Sequence, residues 1–222
     1  MTPPGDELVI RPYGDHALLL ECPDNDTHGW LAAIDALDDS RILESTPGAT
    51  TILVRFASRR VSAHEVESAL RQLSPLAVDA RPGGEIVTIP VVYDGVDLDD
   101  IAAEIGMAVV DVVALHSAPT YAVGFVGFSP GFAYLEGLDP RLRVPRLDSP
   151  RPVVPAGSVA IADQWAGVYP RSSPGGWRLI GRTPMSIWDE HRTPPALLVP
   201  RTSVRFVPIN SPEIGSEGRG GD

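Results

Sequence analysis

Thr50-Thr-Ile-Leu-Val-Arg-Phe-Ala-Ser-Arg-Arg-Val-Ser-Ala-His-Glu-Val-Glu-Ser-Ala-Leu-Arg-Gln-Leu73 contains a strand signal and a helix signal back to back. Thr50 to Phe56 is a run of β-branched and apolar residues, as a half-buried strand requires. Ser62 with Glu65 three residues later forms a capping box, and Val66, Ala69, Leu70 and Leu73 then recur at helical spacing. Before this stretch, Ala17 to Glu21 reads as a strand. Trp30 to Leu37 reads as a helix opening after Asp26 and Thr27, and Ile42 to Glu44 as a strand ahead of the Pro47-Gly48 turn. After it, Leu76 to Val78 reads as a last short strand. The order strand, helix, strand, strand, helix, strand predicts a ferredoxin-like α/β domain over residues 1–84, closed by the Pro82-Gly83-Gly84 hinge.

Beyond the hinge the texture changes. Ile86 to Val92 predicts a strand, and Leu98 to Ile105 and Val110 to His116 predict short helices. From Tyr121 onward prolines and glycines punctuate short apolar segments, among them Val123 to Phe128, Ser158 to Ala162, Arg178 to Gly181 and Val204 to Val207. Such spacing predicts a barrel or sandwich of short strands over residues 85–210, with 211–222 a polar, mobile tail. The fold class is therefore α+β.

Composition narrows the chemistry. The 222 residues carry 18 basic side chains, every one an arginine, and the formal net charge is -11. Without lysine the chain cannot form a Schiff base, bridge phosphates through a Walker A lysine or carry biotin. An acidic balance argues against binding nucleic acid or an anionic membrane surface. No apolar run has a bilayer-spanning length and no signal peptide opens the chain, so a cytoplasmic protein is expected. Cys22, the single cysteine, ends an apolar run and is expected to be a packed thiol.

Several motifs fail on inspection. Gly127-Phe128-Ser129-Pro130-Gly131 fits G-x-S-x-G, but a nucleophile elbow needs an N–H from the residue after the serine, and Pro130 has none. Asp94, Asp97, Asp99 and Asp100 lack the glycine and terminal glutamate of a calcium loop and read as a solvated helix start. His16, His28, His64, His116 and His191 show no ligand spacing, so no metal site is expected.

Functional groups concentrate between Gly124 and Thr183. Residues 124–135 place Phe128, Phe132 and Tyr134 among closely spaced glycines, suiting either a packed aromatic corner or the wall of a ligand site. Arg141, Arg143, Arg146 and Arg151 alternate with Pro140, Pro145, Pro150 and Pro152. Stiffened arginines of this kind suit a carboxylate or phosphate, and equally surface ion pairs. Val154 to Ala162 and Ser172-Ser173-Pro174-Gly175-Gly176-Trp177 supply polar turns that could be hairpins or anion-binding nests.

Those motifs resemble a known family. Gly14-Asp15-His16-Ala17-Leu18-Leu19, Ile89-Pro90-Val91-Val92-Tyr93, His116-Ser117, Gly127 to Leu135, Pro145-Arg146, Pro150-Arg151, Val154 to Ile161 and Ser173 to Pro184 are similar to the B subunits of bacterial 5-oxoprolinases, also known as allophanate hydrolase subunit 1 and Kip-type kinase inhibitors. The resemblance implies a cyclophilin-like β-barrel after the α/β domain. It also implies a complex with a C subunit (allophanate hydrolase subunit 2, KipA type) and an A subunit (LamB/YcsF type) that opens 5-oxo-L-proline to L-glutamate with ATP. ATP, with magnesium, belongs to the complex, and no cofactor is intrinsic to this chain. A lactam is a poor electrophile, so phosphorylation of its amide oxygen would create a leaving group, and arginines would meet the developing charge. Within the family motifs Arg146, Arg151 and Arg182 are the catalytic candidates. His116, Phe128, Phe132, Tyr134, Ser158, Tyr169, Ser173, Gly175 and Gly176 are candidates for the lining. The interface with partners is expected to bury on the order of 2,000 Å² or more.

This chain departs from the family at Asp163 to Pro170, where Trp165 replaces a usual glutamine, and at Pro200-Arg201-Thr202, which lacks a turn glycine and an acid. Two other functions are open: a module that grips a histidine kinase, and one half of a carboxyltransferase of the urea or allophanate pathway. The latter would need its biotin on a separate chain.

Overall fold

The computed structural model describes residues 7–78, 86–200 and 202–210; the expected hinge and 84/85 boundary, residue 201 and the tail from 211 lie outside the described residues. The fold is mixed α+β. Val9–Pro12 (β1) and Ala17–Glu21 (β2) precede the helix Thr27–Leu37 (α1), and Ile42–Pro47 (β3) and Thr51–Phe56 (β4) lead to the helix Ala63–Leu70 (α2). Ile86–Val91 (β5) is followed by the helices Leu98–Glu104 (α3) and Val109–Ser117 (α4) and the hairpin strands Tyr121–Val126 (β6) and Ala133–Glu136 (β7). Short strands make up the remainder: Arg151–Val154 (β8), Ser158–Ala162 (β9), Trp165–Val168 (β10), Ser173–Gly175 (β11), Arg178–Arg182 (β12) and Ser203–Pro208 (β13). The described residues group into two compact units, one within Met1–Ile86, Tyr121–Glu136 and Trp188–Ser203, the other within Val87–Thr120, Gly137–Ile187 and Val204–Asp222.

In the first unit an antiparallel sheet runs in the order β1-β2-β4-β3. The period of two along β2 and β4 turns Leu18 and Leu20 toward the same core as Ile52 and Val54, and all four are fully buried. Trp30 and Ile34 of α1 and Val66 and Leu70 of α2 cover this face. Both helices start where the sequence places them. Asp26 Oδ1 accepts from the Gly29 amide at 2.8 Å, and the Ser62/Glu65 capping box is complete. Each such cap contributes about 1 kcal/mol.

The expected strand at Leu76 to Val78 does not form. Pro75 removes a donor just before it, Leu76 is exposed, and the Leu76 amide donates to the Gly29 carbonyl at 3.0 Å. The place beside β2 is taken by β1, from the start of the chain. Cys22 is packed as expected, its thiol pushed up to about 12 by burial and by the Asp26 carboxylate.

In the second unit β10, β9 and β12 are antiparallel neighbours, and β13 lies beside β5. Val92, just past β5, bridges to Arg182 of β12 through two backbone hydrogen bonds of 2.9 Å. The five strands thus curve into a barrel-like band in the order β10-β9-β12-β5-β13. All five residues of β9 are buried, as expected for a strand covered on both faces. The strands β8 and β11 form a separate two-stranded sheet. Among the described residues no helix is long and apolar enough to cross a membrane.

Candidate functional site

The arginine- and proline-rich stretch runs through the second unit as a loop pinned at three points. The Val144 carbonyl accepts from the Asp163 amide at 2.7 Å, the Leu147 amide donates to the Gly176 carbonyl at 2.8 Å, and Arg151 lies opposite Gly175 in the β8–β11 ladder. This pairing brings Arg151, Ser173, Gly175 and Gly176 together. Tyr169 joins them: its hydroxyl packs so closely on Gly175 that a Cβ there would overlap it. The Ser173 Oγ is buried and has no hydrogen-bond partner among the described residues.

The three candidate arginines differ in what holds them. Arg151 Nη2 donates to Asp97 Oδ1 at 2.6 Å and Nη1 to the Trp177 carbonyl at 3.5 Å, so its guanidinium is committed to the protein. Arg182 Nε donates to Asp94 at 2.9 Å with its side chain half-exposed. Arg146 is also half-exposed, and its Nε stands 3.7 Å from Asp163, beyond hydrogen-bond distance. Arg146 is the one of the three with a loosely held guanidinium, on the loop that its neighbour Leu147 ties to Gly176.

Asp97 is a buried anchor for the candidate arginine Arg151 that the sequence does not reveal. The acidic stretch reads as a solvated helix start, and Asp94, Asp99 and Asp100 are exposed accordingly. Asp97 is instead buried, with its Oδ2 accepting from the Leu179 amide at 2.6 Å while Oδ1 takes Arg151. Its partners lie 54 and 82 residues further along the chain, so no local spacing signals them. Among the described residues no group of three or more His, Cys, Asp or Glu side chains could hold a metal ion.

Of the remaining candidates only Ser158 borders this cluster, through Tyr169. Phe128, Phe132 and Tyr134 belong to the β6–β7 hairpin of the first unit. Ser158 is buried on β9, and its carbonyl accepts from the Tyr169 amide at 2.9 Å. His116 is fully buried in the second unit, with Nδ1 2.8 Å from the Tyr93 hydroxyl and its ring 4.5 Å from that of Phe206. Burial pushes the imidazole down to about 3 and raises the Tyr93 phenol.

A neutral buried histidine makes stability depend on pH. With the folded value below the unfolded one of about 6.5, the unfolded chain binds the extra proton, so stability falls as pH drops below 6.5 toward 3. Between pH 7 and pH 5 His116 should cost about 2 kcal/mol. Urea midpoints across that range should fall less steeply for His116→Phe than for the parent chain; equal slopes would count against this assignment.

Comparison with known proteins gives three further findings. Residues 8–198 match the family model for the carboxyltransferase domain, subdomain C and D. The chain is 41% identical over 81% of its length, and 84% of the relative's, to the B subunit of the 5-oxoprolinase of Escherichia coli O157:H7; it is 34% identical over 93% and 91% to that of Bacillus subtilis strain 168. The solved structure of TTHA0988 superposes with a TM-score of 0.74 at 34% identity, covering 92% of this chain. The chain spans 41% of that protein's length.

Proposed function

The chain belongs to the carboxyltransferase subdomain C and D family and, with it, to the 5-oxoprolinase B subunits; from this premise we propose that it serves as one component of a heteromeric enzyme that opens 5-oxo-L-proline to L-glutamate with hydrolysis of ATP. The observation that carries the reading is similarity to two relatives of that name along most of their length and most of this chain. On the same reading the first domain is ferredoxin-like, with β1 standing where the closing strand would be, and the second is a cyclophilin-like barrel. The partners are C and A subunits.

Phosphoryl transfer to the lactam oxygen would supply the leaving group, and this chain's residues suit the anionic side of that chemistry. Arg146 has the reach and the loose pairing to meet an oxyanion, and the Ser173 hydroxyl is a buried donor without a protein acceptor among the described residues. Arg151, held by Asp97, positions the β8–β11 pair against that turn. Arg182, bound to Asp94, is the second candidate for anion contact. On this reading magnesium would enter with the nucleotide phosphates, which together with one or two carboxylates and water would complete its shell.

The test is glutamate formation from 5-oxoproline and ATP by this chain with its C and A partners, each omitted in turn. Turnover is expected only from the complete set, and Arg146→Ala should lower kcat by about 100-fold while the complex still assembles. Undiminished glutamate formation without this chain would overturn the assignment. Kinase autophosphorylation is the assay to follow in that event.

A further inference from the structure

We propose that the open edge of β3, with the groove between it and the C-terminal turn of α1, is a docking site for an extended basic segment of a partner protein, which would extend the sheet. β3 ends the order β1-β2-β4-β3, so its far side pairs with no strand among the described residues. The hairpin register shows which of its backbone groups face that side. The Gly48 amide donates to the Thr51 carbonyl at 2.7 Å, and hydrogen-bonded pairs alternate along an antiparallel ladder. Thr46 and Glu44 therefore bond toward Leu53 and Arg55 of β4, while the amide and carbonyl of Ser45 point to the open side. Leu43, where the register shifts between Ile42 and Glu44, is 61% exposed at the same edge.

Beside this edge lies a groove of about 430 Å³, walled on one side by Ile34, Asp35 and Asp38 at the end of α1 and on the other by Leu43, Glu44 and Ser45 of β3. Charge decides what the groove accepts. Glu44 is tied to Arg55 at 2.6 Å, but the Asp35 and Asp38 carboxylates are exposed and have no side-chain partner among the described residues. They stand in the last turn and at the C-cap of α1, where the helix dipole is already negative and no basic residue answers it. Two acids at that end work against the helix, and a guanidinium or ammonium seated beside them would relieve both. A second copy of this chain does not fit, because pairing β3 with itself would crowd Asp35, Asp38 and Glu44 of two chains that each carry a net charge of -11. A segment with a basic residue at every second position does fit. Its alternate side chains would fall into the groove while its main chain bonds to Ser45.

The inference goes beyond the oxoprolinase reading and does not depend on it, so it can be tested on the full chain alone. The probe is the peptide acetyl-Arg-Val-Arg-Val-Arg-amide, titrated into ¹⁵N-labelled protein at physiological salt, where diffuse attraction is screened. Saturable amide shifts are expected at Asp35, Asp38 and Leu43 to Thr46. Binding should be at least about tenfold tighter than for acetyl-Glu-Val-Glu-Val-Glu-amide, and the Asp35→Asn/Asp38→Asn variant should weaken it at least about fivefold with its spectrum otherwise retained. Strand pairing uses one set of alternate peptide nitrogens, so methylating the valine nitrogens and methylating the arginine nitrogens should differ in effect by at least about fivefold. The proposal is overturned by no saturable shifts up to about 5 mM probe, by equal binding of the acidic peptide, by undiminished binding to the double variant, or by equal effects of the two methylations. Shifts of the same amides on raising the protein concentration without peptide would overturn it too, by giving the edge to a second copy of this chain.

Discussion

Asp97→Ala should destabilise the protein by about 3–5 kcal/mol, more than any other single side-chain truncation considered for this fold. The carboxylate is 6% exposed and each oxygen has its own short partner, Arg151 Nη2 and the Leu179 amide, both at 2.6 Å. Removing it strands a buried amide on β12 and leaves a guanidinium only 27% exposed without its carboxylate. Asp97→Asn keeps the shape and one acceptor, so its loss should be smaller, about 1–3 kcal/mol. Truncating Arg151 leaves the buried Asp97 carboxylate without its cation, but that carboxylate keeps the Leu179 amide, so the loss should approach that of Asp97→Ala without exceeding it. Urea unfolding of the three variants checks the ranking Asp97→Ala, then Arg151→Met and Asp97→Asn. If Asp97→Ala lies within about 1 kcal/mol of the parent, the buried carboxylate does not organise this unit. The same variants separate two uses of arginine here: Arg151 acts through the fold, whereas Arg146 is placed to act on a ligand.

What is legible in the sequence is what is encoded locally. The strand β2, the strand β9, the Asp26 cap and the Ser62/Glu65 box lie where composition and spacing put them, because each depends on residues within a few positions of one another. The β1 edge is illegible for the opposite reason. Val9-Ile10-Arg11-Pro12 is four residues long and ends in proline, and its assignment depends on pairing with Leu18 to Glu21. Leu76-Ala77-Val78 is no worse by composition but loses that position because its amide turns to Gly29. The same limit governs the site. Clustered arginines can be read from the chain, yet which of them is held and which loosely paired follows from Asp94, Asp97 and Asp163, whose distances to Arg182, Arg151 and Arg146 only the tertiary structure sets. By sequence the aromatic hairpin is equally ambiguous between packed corner and ligand wall. The structure divides it, with Phe132 buried and Phe128 exposed.

Gly95→Ala should be nearly as damaging as the loss of Asp97, by a steric route. A Cβ at Gly95 would overlap the Leu179 carbonyl and the adjoining backbone of Ile180 and Gly181, all of it strand rather than mobile side chain. No rotamer change relieves such a clash, so the segment before α3 must move away from β12. That movement reaches Asp97 two residues on, whose amide donates to the Leu179 carbonyl at 3.0 Å while its Oδ2 accepts from the Leu179 amide. Overpacking alone typically costs about 1–3 kcal/mol, and loss of a buried hydrogen bond adds about 1–3 kcal/mol. The total should therefore approach that of Asp97→Ala. Because both substitutions act on the same α3–β12 contact, their effects should not add: the Gly95→Ala/Asp97→Ala double variant should be less destabilised than the sum of the singles. Additive losses in a denaturation cycle would show that Gly95 and Asp97 support different parts of the fold, and the close approach of Gly95 to β12 would then have no role in holding the carboxylate.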